Sequence, residues 1–523
     1  MVNARLLAIA APLVVAALVI VNAWSGLMPG VGFWDTGEFQ TVLPILGTAH
    51  PTGYPTYVLL GFLGNLLLTP IGEPAFRITV LSLLAVAAAA ACTVLLVRRL
   101  TGSTIIGIGT GLGLATTPVV WIYATRADPH PIHLAFVVLL LLALLRWQDA
   151  RHGLDDGATD QRGVDRRLVL AAVLFGLAAG NHSLTLLLIP PIGLFVLAVE
   201  PGIWRRWKLV LACLGAAFGT VALVYLELPI RGGLLPAPLI YGEPATWDGF
   251  WYIALAEQFR GSLDDPFADL AGKLDDLVAF ANAQLGVLAL AIPPAFLVAA
   301  LRAPRYTLLT GLALVITVLF NEAYANAEIE RYYLGPVLWV WTWLGILGAE
   351  VAQLAALAAG AVVRARPFTV DHPTVRRASL AGAAIVAVVL LLPALADLDA
   401  RRHDADRSGD RSAERWLAEA LPAVPQGAVL VTWWSTSTPL WYAQKVQGLR
   451  PDIDVIDDRT MLDRHLGRAP DVVARFLGTR PVYVIRVEGR DLDELTSQYD
   501  MTLVASGGST GVWAVNGRLS ATP

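Results

Sequence analysis

Charge is scarce in this chain. Lys, Arg, Asp and Glu supply 15% of the 523 residues, against roughly a quarter in soluble domains. Such a chain cannot cover itself with a solvated surface, and 56% of it is hydrophobic. Cysteine is almost missing. Cys92 and Cys213 each lie inside an apolar run, which argues against a structural disulfide and against a thiolate metal site. The net charge of −4 argues against a nucleic-acid partner. What is abundant is apolar runs of roughly 20 residues, the length that crosses a hydrocarbon core of about 30 Å. The chain therefore reads as a polytopic α-helical membrane protein. Its first run, 6–23, is long for a signal peptide, and no small-residue cleavage site follows it, so it reads as a retained helix.

Basic residues set the expected orientation, because they stay on the cytoplasmic side. Five clusters are expected inside: Arg98 and Arg99; Arg146, Arg151, Arg162, Arg166 and Arg167; Arg205, Arg206 and Lys208; Arg302 and Arg305; and Arg364, Arg366, Arg376 and Arg377. Loops with single basic residues (Arg77, Arg126, Arg231, Arg260, Lys273 and Arg331) are expected outside. About eleven crossings satisfy this pattern, near 5–24, 74–98, 103–122, 132–148, 168–180, 183–199, 208–227, 283–301, 306–321, 334–362 and 378–396. They place the N-terminus in the cytoplasm and the C-terminus outside. The pair 168–180 and 183–199 is short and also fits a hairpin that stops partway. Residues 54–69 read as an interfacial or re-entrant helix, and the mixed loop 228–282 as interfacial helices. Arg401 and Arg402 fit the rule poorly.

Beyond residue 400 the composition changes. Segments 427–432, 453–456 and 481–486 read as short buried strands, with a helix at 412–421 before them. The expected division is a transmembrane domain at 1–398 and a small extracytoplasmic α/β domain at 399–523.

The densest chemistry follows the first helix. Gly32-Phe33-Trp34-Asp35-Thr36-Gly37-Glu38-Phe39 and Ala49-His50-Pro51-Thr52-Gly53-Tyr54-Pro55 crowd two carboxylates, a histidine, aromatics and turn residues at a membrane edge. Asp35 with Glu38 matches a helix cap and its capping-box partner. It also suits a reaction centre, with Gly37 allowing close approach of a ligand. His50 is either a polar turn residue or a phosphate or hydroxyl contact. The loop Arg126-Ala-Asp128-Pro-His130-Pro-Ile-His133 offers Asp and His to a divalent cation, although two prolines defeat a regular helical ligand geometry. It equally suits the polar wall of a cavity. Asn181-His182 reads as a helix break. Arg231 and Arg331 end helices on the outer side, where snorkelling or an ion pair with Glu328 or Glu330 is the default. An arginine there also matches the oxygens of a lipid phosphate.

Together these motifs resemble a large bacterial membrane family long described as a domain of unknown function. That family includes the eukaryotic protein O-mannosyltransferase of plexin-type receptor domains. Gly180-Asn181-His182, Leu228-Pro229-Ile230-Arg231 with Tyr241-Gly242-Glu243-Pro244, and Glu330-Arg331-Tyr332-Tyr333 are similar to its later motifs, and the likeness spans 10–345. Arg126-Ala-Asp128 departs from the Glu-Val-Tyr sequence of that family at this point. The resemblance implies a GT-C glycosyltransferase fold, a polyprenyl-phosphate sugar donor, and an acidic residue in the first external loop, the position of Asp35.

The expected function is inverting transfer of a sugar, with mannose a candidate, to an acceptor hydroxyl on a protein or glycan at the outer face of a bacterial plasma membrane. Asp35 and Glu38 are the expected catalytic residues. His50, Tyr54, Arg126, His182, Arg231, Arg331 and Tyr332 are expected around the donor's phosphate and sugar, with membrane lipids around the bundle. Asp35, Asp128 and His130 are the candidates should a divalent cation bind. Two rivals are a lipid-linked substrate transporter or flippase, expected to show inverted repeats, and a non-catalytic envelope assembly protein. An enzyme predicts Asp35, His50, His182 and Arg231 around one outer-side cavity; a scaffold predicts them dispersed.

Overall fold

The computed structural model describes residues 2–155, 160–326, 328–362, 373–486, 491–507 and 510–519. Each of the eleven apolar segments lies in helix. In order these are α1 (Val2–Trp24), then α2 (Trp34–Ile45) and α3 (Pro55–Leu67) outside the count, α4 (Pro74–Thr101), α5 (Thr104–Ala115) with α6 (Pro118–Ala124), α7 (His130–Asp155), α8 (Gln161–Asn181), α9 (Ile189–Val199) and α10 (Trp207–Tyr225). The rest are Leu270–Leu285 continued by Ile292–Arg302, then Pro304–Ala323, Leu334–Val362 and Pro373–Ala396. Among the described residues, seven helices are long and apolar enough to cross a membrane alone, or eight if α5 and α6, bent by 67°, count as one. Pro118 explains the bend, since its ring cannot continue a helix. α8 begins among Arg162, Asp165, Arg166 and Arg167, and breaks at His182 before the turn Ser183–Leu188.

Leu211, Leu214, Phe218 and Leu223 of α10 are exposed. In water they would be a liability; against acyl chains they are a solvated face. The protein is a multi-pass membrane protein. Its interior is sealed by Trp147, Trp341 and Trp343. The two last donate their indole N–H to Thr117 (2.8 Å) and Thr310 (3.0 Å), so neither ring buries an unpaired donor.

The C-terminal region forms one five-stranded sheet in the order β2-β1-β3-β5-β4: β1 (Val429–Thr432), β2 (Asp454–Ile456), β3 (Val482–Ile485), β4 (Tyr499–Gly507) and β5 (Thr510–Arg518). β2, β1 and β3 are parallel; β5 runs antiparallel to β3 and β4. Strand alternation sorts the residues onto two faces. Leu430 and Ile485 face the helix Ser412–Ala423 through Trp416 and Leu417. Val429, Val431 and Val484 face Met461, Val472 and Leu495 on the other side. The three strands read from sequence are present; the β4–β5 hairpin is an addition.

This layer sits directly on the loops at one end of the bundle. The Tyr442 hydroxyl accepts from the Ala75 N–H (3.1 Å), Phe33 meets Trp416 (5.8 Å between centroids), and Trp34 meets Trp434 (6.1 Å). Arg401 and Arg402, anomalous by the charge rule, are explained here. Arg401 is buried and donates to the Thr116 carbonyl (2.9 Å); Arg402 donates to Asn22 (3.1 Å). Both tie the short helix Leu398–Ala405 to the bundle. Arg364 and Arg366 lie outside the described residues.

Candidate functional site

α2 is positioned by Gln40, whose amide clamps the preceding loop. Its Oε1 accepts from Gly32 N–H (2.8 Å) and its Nε2 donates to the Gly30 carbonyl (3.0 Å). The helix starts at Trp34, and Phe33 at the cap is extended and makes no side-chain cap. The capping-box expectation for Asp35 and Glu38 therefore fails: Asp35 stands inside the first turn, and its carboxylate is free to face another partner. Gly37 allows close approach, but of the chain itself. A Cβ there would overlap the Gly32 carbonyl oxygen and Thr438 Oγ1.

Glu38 follows one turn later and is fully buried. Both its oxygens go to His50, one to the backbone N–H and one to Nδ1, each at 2.7 Å. The other ring nitrogen meets the Tyr54 hydroxyl at 3.2 Å. Burial pushes the His50 pKa down, but Glu38 and then Asp35 outweigh it, so the imidazole is held above its ordinary range. His50, expected as either a polar turn residue or a phosphate or hydroxyl contact, thus has both ring nitrogens within a Glu38–His50–Tyr54 chain.

Asp35 points at Arg331, which the turn Ile329–Tyr333 brings across the bundle. Arg331 Nη1 lies 2.7 Å from Asp35, 3.3 Å from Asp128 and 3.5 Å from Glu328. The Asp35 side chain stays 20% exposed. Burial raises its pKa, and Arg331 and His50 lower it by more, so it remains ionised below the usual carboxylate range. Asp128 is buried and receives His130 Nδ1 at 2.7 Å. Burial, which raises its pKa, is again outweighed, here by His130 and Arg331, which hold it low. His182 accepts from the Leu184 N–H through Nδ1 (3.1 Å), which leaves the proton of the neutral ring on Nε2. Its ring lies 4.4 Å from His130, 5.6 Å from Tyr54 and 5.6 Å from Tyr332. Three buried nitrogens of this cluster, His130 Nε2, His182 Nε2 and Arg331 Nε, have no hydrogen-bond partner among the described residues. Such orphans call for a ligand or water.

Asp35, His50, Tyr54, His182, Arg331 and Tyr332 thus come together, with Asp128 and His130 beside them. Arg231 does not join them. Its guanidinium donates to the Leu46 (2.8 Å) and Ile45 (3.4 Å) carbonyls and anchors the end of α2. Arg126 stands at the margin, doubly bonded to Glu328 at 2.9 Å. The candidate cation site Asp35–Asp128–His130 is occupied by the chain's own cation, since Arg331 lies between the two carboxylates. Another grouping, Asp35, Glu38 and His50, has one ligand atom from each within 4.8 Å of the others. Within that set Glu38 Oε2 and His50 Nδ1 lie 2.7 Å apart, in contact with one another.

Sequence reasoning missed the contribution of the C-terminal layer. Trp434 packs on His50 (6.0 Å between centroids), Phe259 reaches the same ring (6.4 Å), and Arg459 comes near from the far side. The local sequence of Trp433-Trp434 marks an aromatic surface but says nothing of what it covers.

The chain as a whole is similar to known proteins. Residues 35–203 match the family model of the protein O-mannosyl-transferase TMEM260 N-terminal domain, which bears out the resemblance drawn from the motifs. The chain is 25% identical over 447 residues to the protein O-mannosyl-transferase TMEM260 of Mus musculus, covering 82% of this chain and 59% of that protein. It therefore spans under two thirds of that relative's length. ArnT from Cupriavidus metallidurans, solved with undecaprenyl phosphate, superposes with a TM-score of 0.57 at 15% identity, covering 98% of both chains. The oligosaccharyltransferase AglB from Archaeoglobus fulgidus, solved with an inhibitory peptide and a dolichol-phosphate, gives a TM-score of 0.50 at 14% identity, covering 92% of this chain and 69% of that one. The bundle and its C-terminal sheet layer together have the GT-C fold.

Proposed function

We propose that the chain is an inverting glycosyltransferase that moves a sugar, mannose by analogy with its mouse relative, from a polyprenyl-phosphate donor to an acceptor hydroxyl on a protein or glycan. The observation that carries this reading is the Asp35–Arg331 pair set among the buried, partnerless nitrogens of His130, His182 and Arg331. The relatives' own ligands, an undecaprenyl phosphate and a dolichol-phosphate, support the donor class.

The acceptor oxygen attacks the anomeric carbon while the bond to the phosphate oxygen breaks, and the lipid phosphate leaves with the electron pair. Asp35, kept ionised, orients the acceptor hydroxyl and stabilises positive charge on the ring. Its low proton affinity delays proton transfer until the attacking hydroxyl has become acidic in the transition state. Arg331 holds that carboxylate in place, and His182 Nε2–H suits a sugar or phosphate oxygen. Glu38 acts through His50 and is a positioning residue. The site belongs to the outer face, with the C-terminal layer extracytoplasmic and the transmembrane part ending near 398. Supporting this orientation, the basic clusters pair at the opposite end, Arg206 with Asp165 and Glu200, and Arg302 with Glu350.

Asp35→Asn should lower transfer from a lipid-linked sugar in isolated membranes by about 10²–10⁴-fold, with thermal stability kept. Wild-type turnover in that variant would remove Asp35 from the mechanism.

A further inference from the structure

A lipid phosphate needs positive charge that the chain has not already neutralised. The arginines expected to supply it are engaged. Arg331 faces Asp35, Asp128 and Glu328, Arg126 is doubly bonded to Glu328, and Arg231 is held by backbone carbonyls. Four carboxylates, Asp35, Glu38, Asp128 and Glu328, stand against two guanidinium groups and the His50 ring. No cation is in excess there.

One more arginine faces this cluster, from the C-terminal layer. Arg459 lies on the short helix Asp458–Asp463 that follows β2. Its guanidinium carbon stacks 3.4 Å from the centroid of Tyr241, and Nη2 donates to Gln258 Oε1 (2.9 Å). Gln258 adjoins Phe259, which meets His50. Glu38, Asp35 and His50 all feel its charge. Yet among the described residues it makes no ion pair. Asp458 is held by Arg486 (2.7 Å), and Asp463 accepts from the Gly242 N–H (3.0 Å). The guanidinium, unpaired though Glu38, Asp463 and Asp35 all act on it from a distance, sits half-buried, and burial draws its pKa down to about 10. The preceding helix Trp247–Ala254 exposes Trp247 and Trp251. Such rings settle at headgroup level, the depth of a lipid phosphate.

We propose that Arg459, supplied by the C-terminal domain, binds the phosphate of the lipid-linked donor. Tyr241 fixes the plane of the fork and Gln258 holds one arm, leaving the remaining N–H groups for phosphate oxygens. The inference rests on the glycosyltransferase reading above and deepens it, since the donor site is then complete only with the C-terminal domain docked.

The test uses the full chain in nanodiscs, with decaprenyl phosphate as probe and decaprenol as the uncharged control, read by tryptophan quenching. Arg459→Gln should weaken decaprenyl phosphate binding about tenfold or more and raise the donor KM with little change in kcat. Arg459→Lys should recover part of the loss, and decaprenol should bind both proteins alike. Unchanged phosphate binding in Arg459→Gln, an equal loss for decaprenol, or a rise in the acceptor KM alone would each overturn the assignment. Those results leave the enzyme reading intact if the wild type transfers sugar and Asp35→Asn does not. A wild type that neither binds the phosphate nor transfers sugar would overturn both.

Discussion

The Glu38 carboxylate has no solvent contact, and both its oxygens end on His50. Removing one member of a buried pair strands the other, so Glu38→Gln should cost about 3–5 kcal/mol, measurable as a lowered melting temperature. The pH dependence has a fixed sign. The folded pKa of His50 is raised, so its stabilising contribution is complete below the unfolded value of 6.5 and disappears as pH rises through the folded value. The gap in melting temperature between wild type and His50→Asn should therefore be largest in mild acid and close in alkali. A gap independent of pH would show that folding leaves the ring's pKa unchanged, and a gap that shrinks in acid would show a ring held neutral when folded. At this scale the sequence identified most members of the cluster, because Asp35, His50 and Arg331 lie in dense polar motifs. It could not say which partner each would choose. Arg231 and Arg331 look alike as helix-ending arginines; only the fold sends one to the Leu46 carbonyl and the other to Asp35.

Among elements, α2 is closely confined. At Gly37 it passes so close to the Gly32 carbonyl and Thr438 that no Cβ fits. Gly37→Ala should destabilise by about 1–3 kcal/mol through overpacking and loosen the C-terminal layer with it. Limited proteolysis after β1 should then speed up, and an unchanged cleavage rate would mean that the loop simply shifts aside. Apolar length located the helices, since a chain in lipid has little other way to satisfy its backbone, although seven or eight of them, not eleven, are long and apolar enough to cross among the described residues. The β4–β5 hairpin left a weaker trace. Leu503 and Val504 are both exposed, so the alternation that marks a half-buried strand is blurred there.

For the molecule as a whole, orientation is the property most open to a direct check. With an impermeant maleimide on intact cells, Ala418→Cys, on the exposed face of the helix Ser412–Ala423, should be labelled. Gly202→Cys, in an open turn beside Arg205 and Arg206, should react only after permeabilisation. The reverse pattern would invert the topology. Composition separated the C-terminal layer from the bundle but carried no trace of where it lands, because docking depends on long-range contacts such as Tyr442 with Ala75. The Trp34–Trp434 contact, with centroids 6.1 Å apart and planes at 67°, has an optical consequence. Two indoles that close and so inclined share their excited states. Their dichroic couplet should vanish in Trp34→Phe, giving a label-free readout of whether the C-terminal layer is seated during turnover.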